Sequence, residues 1–134
     1  MSATIFGKII AREIPATIVY EDEQALAFKD INAAAPFHVL VVPKRELVSV
    51  EAMGEGDAAL VGHLLWVCKK VANDAGHSAY RVVTNSGAEV GQSVFHLHFH
   101  VIPRYHGKDL GIHAADPADQ AALAAHAARI RAAL

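Results

Sequence analysis

The run His96-Leu97-His98-Phe99-His100-Val101-Ile102 alternates histidine and apolar residues up to its last, doubly apolar pair. Side chains on a strand point to opposite faces with a period of two, so the pattern predicts a strand whose two faces differ. His96, His98 and His100 would share one face, spaced about 6.5–7 Å apart along the chain. Leu97, Phe99 and Val101 would share the other and enter a core. A row of imidazoles is a costly use of half-buried surface, because each ring must find a polar partner. Pro103 marks the end of the run, since proline cannot donate to a sheet ladder. A lone histidine is ordinarily structural; three in alternation inside an apolar strand point to chemistry. A zinc site is the competing reading. The single Cys68 and the lack of a His-Glu-x-x-His pattern weigh against it, so no metal and no cofactor is expected.

The chain of 134 residues is long enough for one domain with its own core, and a single domain over 1–134 is expected. At 53% hydrophobic and 19% charged it reads as an ordered globular chain. A net charge of -2 carries no basic excess of the kind that marks nucleic-acid binding. No apolar run is long enough to span a membrane. One cysteine excludes an internal disulfide and suits a reducing compartment. Lys8 and Arg12 do not precede the apolar residues as in a signal peptide. These points give a cytoplasmic expectation, with neither nucleic acid nor membrane as partner.

In chain order, residues 2–12 read as a short helix capped by Ser2 or Thr4, with Ile5, Phe6, Ile9 and Ile10 as its apolar stripe. Residues 17–20 and 25–29 read as paired strands around an acidic, solvated hairpin tip, Glu21-Asp22-Glu23. A loop over 30–36 leads to an apolar strand over 38–43, buried on both faces and opened by His38. Lys44 and Arg45 would be solvated. A long helix over 57–75 takes Asp57 as N-cap and Gly76 as its stop. Leu60, Leu64, Cys68, Val71, Ala72 and Ala75 form one apolar face, which Val61, Leu65 and Trp66 widen. Apolar residues on more than one face predict a homodimer. Residues 80–84 form a further strand. The glycine-containing loop 85–93 would bring Asn85 and Ser93 to the histidines and offer backbone N–H groups to a phosphate. Asp116-Pro117 starts a C-terminal helix at about 117–134, with Leu123, Ala127, Ile130 and Leu134 on one face and His126 toward solvent.

An imidazole with one unprotonated nitrogen is a nucleophile near neutral pH. A hydrogen bond from its other nitrogen to a backbone carbonyl fixes the tautomer. Neighbouring histidines can donate to phosphate oxygens as charge develops, and the Ser93 hydroxyl can help protonate a departing group. With no phosphate loop of the Walker type, metal-independent phosphoryl or nucleotidyl transfer fits better than kinase chemistry.

The histidine run resembles the signature of the histidine triad family. Thr4-Ile5-Phe6-Gly7-Lys8-Ile9-Ile10, Glu13-Ile14-Pro15-Ala16, Phe28-Lys29-Asp30-Ile31, Ala35-Pro36-Phe37-His38 and Gly91-Gln92-Ser93-Val94 resemble its Hint branch. The likeness spans residues 4 to 104. It implies an α+β fold with a five-stranded antiparallel sheet, a long helix and short flanking helices, paired into a homodimer. It implies hydrolysis of purine nucleoside 5′-phosphoramidates, or aminoacyl-adenylate-type species, to the nucleoside monophosphate through a nucleotidyl-histidine intermediate. By the same resemblance, His98 is the nucleophile, the His96 carbonyl orients it, His100 contacts the phosphate and bridging atom, and His38 supports His100. Ser93 lies by the leaving group. Asp30 binds the ribose, Asn85 lies on the phosphate and ribose side, and Ile5, Phe6, Ile9, Phe28 and Ile31 line the base pocket. Gln92 and Val94 belong to the nucleotide-binding set.

Two departures stand out. Lys29, expected at the surface without consequence, replaces a residue often histidine in this branch. The segment after Arg104 lacks the Trp-Pro-Pro-Gly ending of animal Hint proteins, which bears on substrate preference. Val101-Ile102-Pro103-Arg104 also occurs in Fhit-like members, so dinucleoside polyphosphate hydrolysis is the alternative enzyme reading. A nucleotide-binding interaction module with vestigial hydrolysis is the alternative of another class, and a zinc protein using His96, His98 and His100 is a third.

Overall fold

The computed structural model describes residues 4–30, 37–103 and 120–133. Helix α1 spans Ile5–Ile10, with the Thr4 hydroxyl accepting from the Gly7 amide at 3.1 Å. Thr4 is thus the cap that the sequence offered beside Ser2. Strands β1 (Ile18–Glu21), β2 (Ala25–Lys29) and β3 (Val39–Pro43) precede helix α2 (Ala58–Asp74). Strands β4 (Tyr80–Val83) and β5 (Phe99–Pro103) complete one antiparallel sheet in the order β1-β2-β3-β5-β4. Helix α3 covers Gln120–Ala133. The expected five-stranded antiparallel sheet with a long helix is therefore present.

Alternation along each central strand divides the apolar residues between two faces. Ala25, Ala27, Val39, Val41, Leu97, Phe99 and Val101 pack with Leu64, Val67, Cys68, Val71 and Ala72 of α2. Leu26, Phe28, Leu40 and Val42 pack on the other side with Phe6 and Ile9 of α1. Strand β3 is buried on both faces, as its unbroken apolar run predicts. His98 and His100, out of phase with Phe99, fall on the α1 side.

Several local expectations are corrected. The histidine strand is shorter than its alternation predicts: β5 begins at Phe99, so His96 and His98 precede it. His38 lies just before β3. Asp22 is more than a solvated tip. Its carboxylate accepts from the Gln24 and Ala25 amides and the Tyr20 hydroxyl, each at 2.8 Å, and meets His63 Nε2 on α2 at 2.6 Å. Burial pushes this carboxyl up, but those donors together hold it down at about 2. Lys44 and Arg45 are engaged: Lys44 pairs with Glu21 at 2.7 Å and Arg45 with Asp57. The Asp57 side chain, expected to cap α2, instead accepts from the Gly54 amide at 2.8 Å.

The inward face of α2 includes Val67, and Ala75 is exposed at its end. Gly76, with φ +90°, stops the helix as expected, and the His77 amide reaches back to the Ala72 carbonyl at 2.9 Å. Leu65 and Trp66 are about half exposed. No helix among the described residues is long and apolar enough to cross a membrane. Residues 117–119, where the last helix was expected to begin, lie outside the described residues, as do Leu134, the side chains of Leu123 and His126, and Ile31.

Leu64 of α2 belongs to the core cluster shared with the sheet and is fully buried. Leu64→Ala is expected to lower unfolding free energy by about 2–5 kcal/mol, read by denaturant titration; a loss under about 1 kcal/mol would contradict this packing.

Candidate active site

The chain before β5 is bent and pinned. Leu97 N donates to Leu47 O at 2.6 Å. The Gln92 amide group donates to the Val48 and Val94 carbonyls at 2.8 and 3.1 Å, while its oxygen accepts from Gly87 N at 2.8 Å. Gln92 thus spends its side chain on shaping the loop, and is buried there. Gly91 turns the loop with φ +106°; a Cβ added there would stand 3.7 Å from Asn85 Nδ2, so Asn85 lies across the same loop. Ser93 is exposed and Val94 half-buried against the α1-side cluster.

The three imidazoles of the run have three different environments. His96 is buried and turns Nε2 to the Pro43 carbonyl at 2.8 Å, leaving Nδ1 buried without a partner. His98 directs Nδ1 to the His96 carbonyl at 2.8 Å. A carbonyl only accepts, so His98 carries its proton on Nδ1 and a lone pair on Nε2. The Phe6 ring stands edge-on to it at 4.9 Å. The His98 carbonyl itself accepts from the Thr84 hydroxyl at 2.7 Å. His100 Nδ1 lies 2.8 Å from His38 Nε2, and His38 Nε2 lies 3.4 Å from Asp30 Oδ2. The carboxylate accepts only, so His38 presents Nε2–H, His100 Nδ1 accepts it, and neutral His100 keeps its proton on Nε2. His98 and His100 are 5.0 Å apart between ring centres. A lone-pair nitrogen and an N–H donor therefore belong to adjacent rings.

Electrostatics keep this cluster uncharged. Burial pushes the pKa of His38 down, against the pull of Asp30. Burial, opposed by the hydrogen bond to His96, also lowers that of His98. Burial and then the neighbouring His98 and His38 push His100 down to about 4.

Of the residues expected to line a base pocket, Phe6, Ile9 and Phe28 form one buried cluster, with Phe6 edge-on to Phe28 at 5.5 Å, whereas Ile5 is exposed. A cavity of about 370 Å³ lies beside Asp30, bounded by Pro15, Ala16, Thr17 and Lys29. Lys29 is at the surface, as expected, and lines that cavity beside Asp30. The triad does not converge as a metal-ligand set; among the described residues the converging set is Asp30, His38 and His100. Sequence reasoning missed Thr84. As a β-branched residue it was legible only as a strand former.

Sheet, bent pre-strand loop and histidine cluster together give a fold shared with HIT family hydrolases. The chain belongs to the HIT domain family, which its residues 11–107 match. It is 58% identical over 100 residues to an uncharacterized HIT-like protein of Synechocystis, covering 74% of this chain and 88% of the relative. It is 48% identical over 104 residues to a 14 kDa zinc-binding protein of Zea mays, covering 75% and 81%. Among solved structures it is similar to a HIT family hydrolase from Clostridium thermocellum, with TM-score 0.78, 42% identity, and coverage of 84% of this chain and 99% of that one. A HIT family member from Bacillus subtilis superposes with TM-score 0.81 at 32% identity, covering 99% and 98%.

The depressed histidines make a pH prediction. Between their ordinary value of 6.5 and the lowered native values, the unfolded chain binds protons that the native chain refuses. Stability therefore rises with pH through this window and is lost on acidification from 6.5 toward 4. Urea midpoints are expected to fall from pH 7 to pH 5, and His100→Asn to flatten part of that slope; an unchanged midpoint would contradict the buried, neutral cluster.

Proposed function

We propose that the protein hydrolyses purine nucleoside 5′-phosphoramidates to the nucleoside monophosphate through a covalent intermediate on His98, without a metal ion. The observation that carries this reading is the His98–His96 hydrogen bond, which frees Nε2 as a nucleophile in a neutral ring. Nε2 attacks the phosphorus, forming one P–N bond as the bond to the leaving amine breaks. His100 Nε2–H donates a hydrogen bond to the bridging nitrogen, and the amine leaves with a proton drawn from solvent past the Ser93 hydroxyl. Water then attacks phosphorus, releases its proton to solvent and displaces neutral His98. Asp30 takes the ribose hydroxyls, Asn85 and the loop amides face the phosphate and ribose, and the Phe6–Phe28 cluster receives the purine. The family's hydrolase neighbours support the reaction class; the substrate is inferred from the site.

We further place the active form as a homodimer in the cytoplasm. Exposed Leu65 and Trp66 on α2 support pairing. Cys68, buried as a free thiol and pushed up to about 12 by that burial, suits a reducing setting.

The test is release of AMP from adenosine 5′-phosphoramidate and, separately, from diadenosine polyphosphate, both with EDTA present. Chelator-resistant release from the phosphoramidate is expected, with His98→Ala reducing it by about 10⁴-fold or more. Release chiefly from the dinucleotide would move the protein to the Fhit-like reaction, and tight nucleotide binding without turnover would make it a binding module. Thr84→Val, which removes only the hydroxyl that holds the His98 backbone, is expected to lower kcat roughly 10- to 100-fold at unchanged KM, with Thr84→Ser restoring it. Equal activity in the valine variant would deny Thr84 a positioning role.

A further inference from the structure

None of the histidines lines the cavity of about 370 Å³ beside Asp30. Its walls are Pro15, Ala16 and Thr17, which lead into β1, and Lys29 and Asp30 at the end of β2. The volume falls within the range of small-ligand sites, about 300–1,000 Å³. We propose that this cavity is a subsite for a phosphate monoester on the ribose 2′ or 3′ oxygen, held by the Lys29 ammonium, so that the preferred substrate is a purine nucleotide phosphorylated on its sugar as well as at the 5′ position. The inference rests on the reading above in which Asp30 takes the ribose.

Asp30 stands between the two regions. Its Oδ2 lies 3.4 Å from His38 Nε2 on the histidine side, and its side chain also walls the cavity. A ribose held by Asp30 with its 5′-phosphorus at His98 therefore turns its 2′ and 3′ oxygens toward the cavity. One hydroxyl satisfies Asp30, and the other oxygen is free to carry a substituent. Lys29 is exposed and, among the described residues, makes no ion pair, whereas Arg12, Lys44, Arg45 and Lys70 each meet a carboxylate. An ammonium without a counter-ion at a polar cavity suits a dianionic phosphate, to which it offers three donors. The same cation offsets the repulsion between the Asp30 carboxylate and a second phosphate. A plain sugar hydroxyl would leave it unused. Thr17 is the other polar residue of the wall.

The backbone fixes these walls before any ligand arrives. Lys29 N donates to Thr17 O at 3.0 Å, and Asp30 N to His38 O at 2.9 Å. Lys29 also pairs with Val39 across the ladder. Its position in the sheet is thus set, while its side chain, exposed at the strand end, stays free to meet a ligand. The lysine that follows Phe28 bears on substrate choice, which its place at the surface conceals.

Calorimetric titration compares AMP with adenosine 2′,5′-bisphosphate and adenosine 3′,5′-bisphosphate. One bisphosphate is expected to bind about tenfold more tightly than AMP at low salt, and which one does so separates the 2′ from the 3′ oxygen. The advantage should shrink as salt is raised to about 0.5 M. Lys29→Gln is expected to bring the ratio close to one, and Lys29→Arg to keep it; each ratio is taken within one protein, so a general loss of affinity cancels. With the matching sugar-phosphorylated phosphoramidate, KM is expected to fall by the same factor at unchanged kcat, because a remote phosphate is gripped equally in the ground and transition states. AMP binding with no gain from either bisphosphate, or a gain that survives Lys29→Gln, would overturn the subsite and leave the phosphoramidase reading standing. A Lys29-dependent gain in an enzyme that releases AMP from no phosphoramidate would sink that reading and keep the subsite. No binding of any of the three nucleotides would overturn both.

Discussion

A single hydrogen bond, from His98 Nδ1 to the carbonyl two residues earlier, sets what this molecule can do. It fixes one tautomer of one ring, and everything around it serves to keep that ring still. Phe6 closes on its edge, Thr84 holds the carbonyl behind it, and the pinned Leu47–Leu97 contact supports the backbone bend that makes the bond possible. The bond is short-range in sequence and long-range in its supports, which come from α1, the residue just after β4 and the segment after β3.

The sheet supplies the second constraint. Because its central strands alternate strictly, one face can be given wholly to α2 while the other carries α1 and the histidines. The large core therefore lies behind the site, and the site inherits rigidity from β3, whose strand is buried on both faces. His38 and Asp30 sit at neighbouring strand ends, so their positions relative to His100 follow from ladder register.

Local periodicity made much of this legible. The face shared by Leu97, Phe99 and Val101, the doubly buried β3, the Thr4 cap and the Gly76 stop each follow from short-range rules. What periodicity could not show was where alternation stops being a strand. His96 reaches Pro43, 53 residues earlier in the chain, and the backbone leaves the ladder to allow it. Asp22 read as a turn residue because its partner His63 is 41 residues away. The meeting of His38 with His100 came only from family resemblance, and the approach of Asp30 to His38 was not foreseen, since no spacing rule joins residues so far apart in the chain. Thr84 was hidden because a threonine in a strand reads as β-branched, and its hydroxyl carries no pattern.

The orphaned Nδ1 of His96 has a bearing on how this chain can vary. A buried nitrogen with no partner costs about 1–3 kcal/mol, a sizeable share of a small domain's net stability. The same ring grips the Pro43 carbonyl through its other nitrogen and so ties the end of β3 to the backbone that orients His98. An apolar replacement would relieve the unmet nitrogen and loosen the grip together. Drift toward greater robustness at this position thus runs against the geometry that holds His98 in place.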